Sequence, residues 1–177
     1  NNYIELFNNQ PAIQWTLNSI IVALVATVAL IIVSSLAAYA FSKLKFKGKN
    51  VIFILFVSSL MIPKEVIIVP LFRIIVSFVW VNTLSGMIWP NVAVAFGVFL
   101  LKGFFDQIPN TLREAAKIDG ASQIRTFTQI MMPIVKPGVG ALFILYFVQV
   151  WNDYLWQLVV GQENHVKTLQ VGVATLM

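Results

Sequence analysis

The stretch that decides the fold class runs from Leu17 to Phe41, reads LNSIIVALVATVALIIVSSLAAYAF, and contains no charged side chain. A helix rises 1.5 Å per residue, so about 20 apolar residues cross a hydrocarbon core of about 30 Å. The stretch is long enough for that crossing. It is also too long for the core of a signal peptide and lacks a basic leader. We therefore expect a membrane-spanning helix at residues 17–41.

Three further apolar stretches predict membrane spans, at residues 51–79, 84–101 and 138–160. The first of these is interrupted by Pro63 and by the adjacent charges of Lys64 and Glu65. Because proline breaks helices and charges in lipid are costly, we expect a break near Pro63, followed by a second half-segment. The predicted fold class is an all-α membrane protein, a polytopic helical bundle with about four spans.

The composition of the whole chain agrees with a membrane protein. Hydrophobic residues make up 59% of the 177 residues, charged residues only 11%, and the mean hydropathy is +0.84. Globular chains have roughly 45–50% apolar and about 25% charged residues. The absence of cysteine and the single histidine exclude disulfide frameworks, thiolate nucleophiles and Cys/His zinc sites from this stretch, and no metal or cofactor is expected. The chain begins without Met, and we expect it to be an interior piece of a longer polypeptide.

The cations are concentrated in two alternate connections. Four lysines lie in residues 42–50, and five further cations lie in or at the ends of residues 103–137, so nine of the twelve are in these two loops. The positive-inside rule predicts that both loops are cytoplasmic, with both ends of the chain outside. The pI near 9.6 therefore reflects membrane topology. No nucleic-acid partner is expected, since the helix–turn–helix-like part of the second loop offers only Arg125 for base reading.

The loop at residues 103–137 is too long for a simple turn and predicts two short helices. Thr111 and Glu114 have the spacing of a capping box, which starts a helix. Gly120 suits the left-handed residue that follows a helix, and Ser122 or its neighbours then start a second helix, closed by Pro133 and Pro137. Two helices on the basic side of the membrane, joined by a tight turn, could fit a groove on a partner protein.

The same loop carries a recognisable motif. Glu114-Ala115-Ala116 is followed after three residues by Gly120 and after nine more by Ile130-Met131-Met132-Pro133. This pattern resembles the EAA loop of binding-protein-dependent ABC import permeases, and we call residues 103–137 the EAA loop. Met132 departs from the usual leucine, a mild, volume-conserving change. Other stretches are similar to the carbohydrate branch, and most of all to the shorter permease of maltose-type systems: Asn18-Ser19, Ser35 to Phe41, Met61-Ile62-Pro63, Ile118 to Ser122, and Trp151 to Trp156.

The resemblance implies a pore-forming permease subunit of an ATP-driven sugar importer in a bacterial inner membrane, with six spans of which about four are present here. The EAA loop would dock on a cytoplasmic ATPase and couple its motion to alternating access. Two such ATPase subunits, a second homologous permease subunit, an extracytoplasmic sugar-binding protein and the lipid bilayer are the implied partners. The residues expected to dock are Glu114, Ala115, Ala116, Asp119, Gly120, Ala121, Ile130 and Pro133.

ATP hydrolysis is not expected on this chain itself. The sequence contains no Gly-x-x-x-x-Gly-Lys-Ser/Thr phosphate loop, so we expect the ATPase to be a separate subunit and this chain not to be an enzyme. A membrane enzyme is further disfavoured because His165, the single histidine, has no serine and carboxylate arrangement of a catalytic triad around it.

A second group of residues is a candidate for the solute path. Trp151, Asn152, Asp153 and Trp156 combine aromatic faces with amide and carboxylate groups, a mixture that suits sugars. Asp153 should face the bundle or a wet cavity, because a carboxylate facing lipid is costly. Tryptophan near a membrane boundary is also typical of an interfacial belt, which is the favoured interpretation, and pathway lining stays open beside it. For the polar segment 161–177, the resemblance implies an outer loop that touches the solute-binding protein; a plain connecting loop is the alternative.

A secondary solute carrier or a channel without an ATPase partner is the alternative function. Such proteins also use broken helices and buried polar groups near the midplane of the membrane. Lys64, Glu65 and Asp153 could couple transport to ions or protons, although for Lys64 and Glu65 an interfacial pair at the helix break is the favoured interpretation. Such a carrier would not need a long loop with EAA spacing.

Overall fold

The computed structural model describes residues 11–176, which form helices joined by short connections and contain no β-strand. The predicted all-α class is therefore confirmed. We number the helices in chain order as α1 Ala12–Lys43, α2 Lys49–Met61, α3 Lys64–Ser77, α4 Leu84–Asn91, α5 Ala95–Asp106, α6 Asn110–Ile118, α7 Gln123–Ile134, α8 Lys136–Trp151, α9 Leu155–Val160 and α10 Leu169–Ala174.

Helix α1 is the longest element and has two different faces. Val22, Ala26 and Leu30, spaced four residues apart, are completely buried. Leu24, Val28 and Ile32 lie on another side and are 41%, 44% and 57% exposed. A helix that is apolar all round and exposes large aliphatic side chains is typical of a segment in contact with lipid. The alanines on the buried side let neighbouring backbones approach closely, which is how membrane helices pack.

By length and composition, α1 is the one helix of the described residues that is long and apolar enough to cross a membrane. Three pairs of shorter helices each pass the same test when they are taken together across a short break: α2 with α3, α4 with α5, and α7 with α8. Up to four crossings result if each pair counts as one span. The four spans named from the sequence stay a prediction.

The break expected near Pro63 is present. A 3₁₀ turn at Ser59–Met61 ends α2, and Pro63 adopts an extended conformation with φ −59° and ψ 137° before α3 begins at Lys64. Proline lacks an amide hydrogen and disfavours a helical conformation in the residue before it, and Ile62 is indeed extended with ψ 114°. The chain therefore leaves the helix for two residues.

Two other predicted spans are also divided. The span at 84–101 breaks between α4 and α5, where Trp89–Asn91 forms a 3₁₀ turn containing Pro90. The span at 138–160 breaks between α8 and α9, where the Asp153 side chain accepts a 3.4 Å hydrogen bond from the amide of Trp156. Both breaks have a local cause, a proline in one and a carboxylate competing for a backbone amide in the other.

The described residues divide into two compact units. Unit 1 comprises 11–29, 63–92 and 146–176, and unit 2 comprises 30–62 and 93–145. In unit 1, Trp15 packs so closely on Gly172 that an added Cβ there would lie 2.1 Å from the indole ring. The Asn18 amide also donates hydrogen bonds of 2.9 Å to the carbonyls of both His165 and Lys167. These contacts hold the polar segment before α10 against α1.

Unit 2 is held together by aromatic rings and by one close helix contact. Tyr39 packs against Phe105 and Phe127, with ring centroids 5.8 and 5.1 Å apart. Gly97 of α5 lies against Ser34 of α1, where an added Cβ would be 2.4 Å from the Ser34 hydroxyl oxygen. This packing positions α5, which leads directly into the EAA loop.

Candidate functional site: the EAA loop and a buried ion pair

The first helix of the EAA loop, α6, does not start as predicted. It begins at Asn110, its N-cap is Pro109, and no side chain caps it. The prediction of a capping box at Thr111 and Glu114 is therefore wrong, because Thr111 already lies inside the helix. The physical reason is that Pro109, with φ −59° and ψ 138°, leads the chain into the helix two residues earlier than predicted.

The end of α6 is formed as the sequence predicts. Gly120 has a φ of +75°, and its amide donates to the Lys117 carbonyl at 3.1 Å, while the amide of Ala121 donates to Ala116 at 2.9 Å. This pair of bonds is the Schellman arrangement that closes a helix. Open space surrounds Gly120, with no atom within 4 Å of an added Cβ. The left-handed backbone, rather than crowding, therefore requires glycine here.

The second helix, α7, starts at the predicted residue. The Ser122 hydroxyl accepts a 3.2 Å hydrogen bond from the amide of Arg125, which is an N-cap interaction. From Thr126 to Met131 the helix has π geometry, and α7 ends at Ile134, one residue after Pro133. The structure thus contains the two short helices and the tight turn that the sequence predicts.

The predicted docking residues differ in their accessibility. Ala116 is buried at 4% exposure and packs inside the loop. Ala121 and Ile130 are half-buried. The remaining members of the set are exposed: Glu114, Ala115, Asp119, Gly120 and Pro133.

Sequence reasoning did not assign a docking role to the most exposed apolar side chains of the loop. Ile118 is 86% exposed and Ile124 is 76% exposed, and they flank the turn at Gly120. In the sequence, Ile124 looks like one of a series of apolar residues at helical spacing, which suggests a buried position. A feature of the sequence that indicates exposure is that each isoleucine lies within four residues of Gly120, at the tip of a hairpin of short helices.

A small depression opens between α6 and α7. Its volume is about 130 Å³, and its lining combines two cations, one carboxylate and three smaller polar or apolar residues: Arg113, Lys117, Glu114, Ala121, Gln123 and Thr126. An exposed turn with apolar tips beside a charged depression can bind a partner by shape and charge together.

The candidate solute-path residues lie in unit 1, and the structure separates them. Asp153 forms an ion pair with Lys64, whose ammonium group also donates a 3.1 Å hydrogen bond to Asn91. Asp153 has 14% of its side chain exposed and Lys64 has 36%. Trp156 is completely buried and donates its indole N–H to the Gly86 carbonyl at 3.2 Å.

The other two residues of that set face more open surroundings. Asn152 is exposed, and Trp151 is half-buried and stacks on Phe147 with ring centroids 6.0 Å apart. Sequence reasoning named Lys64 and Asp153 separately but did not pair them, because they are 89 residues apart. Lys64 is the first residue of α3, and Asp153 lies in the break before α9. Asn91, which also contacts Lys64, is the last residue of α4. Three helix breaks therefore meet at one charged group.

Comparison with known proteins supports the sequence resemblance. The family model described as "Binding-protein-dependent transport system inner membrane component" matches residues 31–174. The arabinooligosaccharides transport system permease protein AraQ of Halalkalibacterium halodurans is 35% identical over 99% of this chain. The sn-glycerol-3-phosphate transport system permease protein UgpE of Pectobacterium atrosepticum is 36% identical over 96% of it. The chain spans only 63% and 60% of the lengths of these two relatives.

A solved structure supports the fold. A chain in the crystal structure of a bacterial ABC transporter involved in the import of the acidic polysaccharide alginate superimposes with a TM-score of 0.88. The match covers 98% of this chain and 61% of that one, at 23% sequence identity. The predicted permease-type helical fold is thereby confirmed. Together with the family match, these similarities show that the chain belongs to the family of binding-protein-dependent transport system inner membrane components.

Proposed function

We propose that this chain is the core of a pore-forming permease subunit in an ATP-driven, binding-protein-dependent sugar importer. The observation that carries the proposal is the EAA loop, whose exposed turn at Gly120 is flanked by Ile118 and Ile124. Family membership and the names of the relatives support the same function, since the relatives are named as permeases of arabinooligosaccharide and sn-glycerol-3-phosphate transport systems. Which sugar or sugar-like solute is carried is left open by the proposal.

The partners in this proposal are those of a complete importer. The EAA loop docks on one of two cytoplasmic ATPase subunits, which carry out ATP hydrolysis. A second, homologous permease subunit completes the pore, and an extracytoplasmic binding protein delivers the sugar. The docking surface consists of Glu114, Ala115, Asp119, Gly120 and Pro133, supplemented by the two exposed isoleucines, with Ala116, Ala121 and Ile130 supporting it from within the loop.

In the same proposal, the loops at 42–50 and 103–137 face the cytoplasm and both ends of the chain lie outside. The protein resides in a bacterial inner membrane, in agreement with the family description. Asp153 and Lys64 contribute a charged, partly accessible group to the solute path, with Asn152 and Trp151 beside them. Complete burial of Trp156 favours a structural role for its ring.

The docking proposal is tested by affinity purification of the full-length protein in mild detergent, with an assay of the eluate for co-purifying ATPase. We compare wild type with Gly120→Val and with Gly103→Val as the matched control. Both glycines have open space around an added Cβ, but only Gly120 has a positive φ. We expect ATPase with wild type and with the Gly103 variant, and a loss with the Gly120 variant.

A second variant separates docking from turn geometry. Ile118→Glu leaves the Gly120 backbone unchanged and replaces an exposed apolar side chain by a charged one. We expect it to reduce the recovered ATPase as well, since exposed apolar anchors carry much of the affinity in such interfaces. Absence of ATPase from the wild-type eluate would contradict the proposal and favour the secondary carrier, for which ion-driven uptake would then be measured.

A further inference from the structure

The last turn of α1 and the start of α6 exchange hydrogen bonds in unit 2. Lys43, the last residue of α1, is only 6% exposed, and its ammonium group donates to the Ile108 carbonyl at 2.5 Å and to the Asn110 side chain at 3.4 Å. In the opposite direction, Arg113 of α6 donates to the Lys43 carbonyl at 2.5 Å. A buried ammonium group is costly unless it is hydrogen-bonded, so these contacts fix its position.

The carbonyl groups at the end of α1 have no partners within the helix, and side chains from neighbouring segments supply them. Arg113 binds the Lys43 carbonyl, and Lys49 binds the carbonyls of Ser42 and Leu44, each at 3.2 Å. Cations at a helix C-terminus also interact favourably with the helix dipole. The end of α1 is therefore a negative pole that is held by cations from α6 and α2.

The second helix of the EAA loop is attached to the same part of α1. The Tyr39 hydroxyl donates to the Gln123 side chain at 3.2 Å, and the Tyr39 ring packs against Phe127 of α7. Tyr39 is 5% exposed. Tyr39 and Lys43 lie one helical turn apart, about 6 Å along the axis. Both helices of the EAA loop are thus bound to one turn of α1.

We propose that the last turn of α1 and the two helices of the EAA loop form one rigid element, and that Lys43 and Arg113 are the positioning residues that join them. The inference rests on the proposed docking of the loop on an ATPase. On that basis, a displacement of the docked loop is passed directly to the cytoplasmic end of the long helix α1. Helix movements of this kind are about 1–2 Å, too small to be transmitted by loosely connected elements.

The experiment measures the distance between spin labels at Leu36→Cys in α1 and Thr128→Cys in α7. Both positions are exposed, and the described sequence contains no other cysteine. The full-length complex, purified with its ATPase, is compared without nucleotide and with ATP and vanadate. We expect the distance to be the same in both states, because α1 runs without a break from Leu36 into its last turn, so that both labels report on the proposed rigid element.

Variants then test the two positioning residues. Arg113→Ala removes the bond to α1, and Arg113→Lys keeps a cation at that position. Arg125→Ala is the matched control, since Arg125 is an exposed arginine of the same loop whose side chain donates to Gln129 within α7. We expect a nucleotide-dependent shift or broadening of about 2 Å in the Arg113→Ala protein, and a constant distance in the other two. Lys43→Met, with exposed Lys47→Met as its control, should repeat the Arg113→Ala result.

The outcomes separate this inference from the function on which it rests. A wild-type preparation without ATPase would contradict the proposed function and the inference together. With ATPase bound, a wild-type distance that changes with nucleotide would show that the loop moves independently of α1 and would overturn the inference alone. A constant distance after Arg113→Ala and Lys43→Met would likewise overturn the role of these residues. Loss of ATPase in the Arg113→Ala eluate alone would assign Arg113 to the docking surface instead.

Discussion

The side chains of Asp153 and Lys64 form an ion pair within unit 1. Removing one partner of a largely buried pair leaves the other without compensation, which costs up to about 3–5 kcal/mol in a fully buried site. With a third of the Lys64 side chain exposed to solvent, the cost here should be smaller, on the order of 1–2 kcal/mol. The pair is thus both a structural link between helix breaks and a charged group on the proposed path.

We expect Asp153→Asn to impair sugar uptake while the complex still assembles. The substitution keeps the shape of the side chain and leaves the Lys64 ammonium with its hydrogen bond to Asn91 but without its counter-charge. Uptake of the transported sugar and co-purification of the ATPase are measured in the same strains. Glu65→Gln is the control, because Glu65 is an exposed carboxylate next to Lys64 in α3 and forms no ion pair among the described residues. Unchanged uptake kinetics with Asp153→Asn would contradict a place on the solute path.

At the scale of helices, the contact between α1 and α5 depends on the missing side chain of Gly97. An alanine there would place its Cβ 2.4 Å from the Ser34 hydroxyl and 3.0 Å from the Leu30 side chain. Crowding of this kind costs about 1–3 kcal/mol, whereas replacing a helical glycine by alanine otherwise gains about 1 kcal/mol. The two effects have opposite signs.

We therefore expect Gly97→Ala to lower the thermal unfolding midpoint of the detergent-solubilised protein. Gly140→Ala in α8 is the matched control, since no atom lies within 4 Å of its added Cβ. That control should leave the midpoint unchanged or raise it. Equal midpoints for the two variants would mean that α1 and α5 are not closely packed at Gly97.

The sequence predicts helices from their own residues better than it predicts where they are interrupted or joined. Gly120 and Ser122 identify the turn of the EAA loop because each acts on backbone close to it in the sequence. Gly120 adopts a left-handed φ, and the Ser122 hydroxyl caps the amide of Arg125. The early start of α6 follows from the backbone conformation of Pro109, and the break at Asp153 depends on competition between neighbouring groups for the same amide. Such competition is decided by small energy differences that the order of residues does not reveal.

At the scale of the whole molecule, the sequence could name charged residues but not their partners. Lys64 and Asp153 were both candidates, and the pairing between them joins distant segments of the chain. The bonds of Lys43 to Ile108 and Asn110 are of the same kind. Predicting these bonds requires knowing how the helices pack. Predicting membrane spans from hydrophobic length, or orientation from the charges in loops, requires only the sequence.

The membrane topology of the whole molecule can be tested by chemical labelling. Single-cysteine variants are made at Lys47, Thr128 and Asn164, all exposed positions, and treated with a membrane-impermeant maleimide in right-side-out vesicles. We expect labelling at position 164 in intact vesicles and at positions 47 and 128 only after permeabilisation. Labelling at position 47 in intact vesicles would contradict the proposed orientation.

The way in which Asn18 holds the segment before α10 has a consequence for how the protein can change over generations. Asn18 binds the backbone carbonyls of His165 and Lys167, and every amino acid provides such a carbonyl. The side chain of His165 adds only an exposed pair with Glu163, which is worth little. In the proposed importer, positions 165 and 167 are therefore free to drift toward contacts with a different binding protein, while position 18 keeps the segment attached to α1.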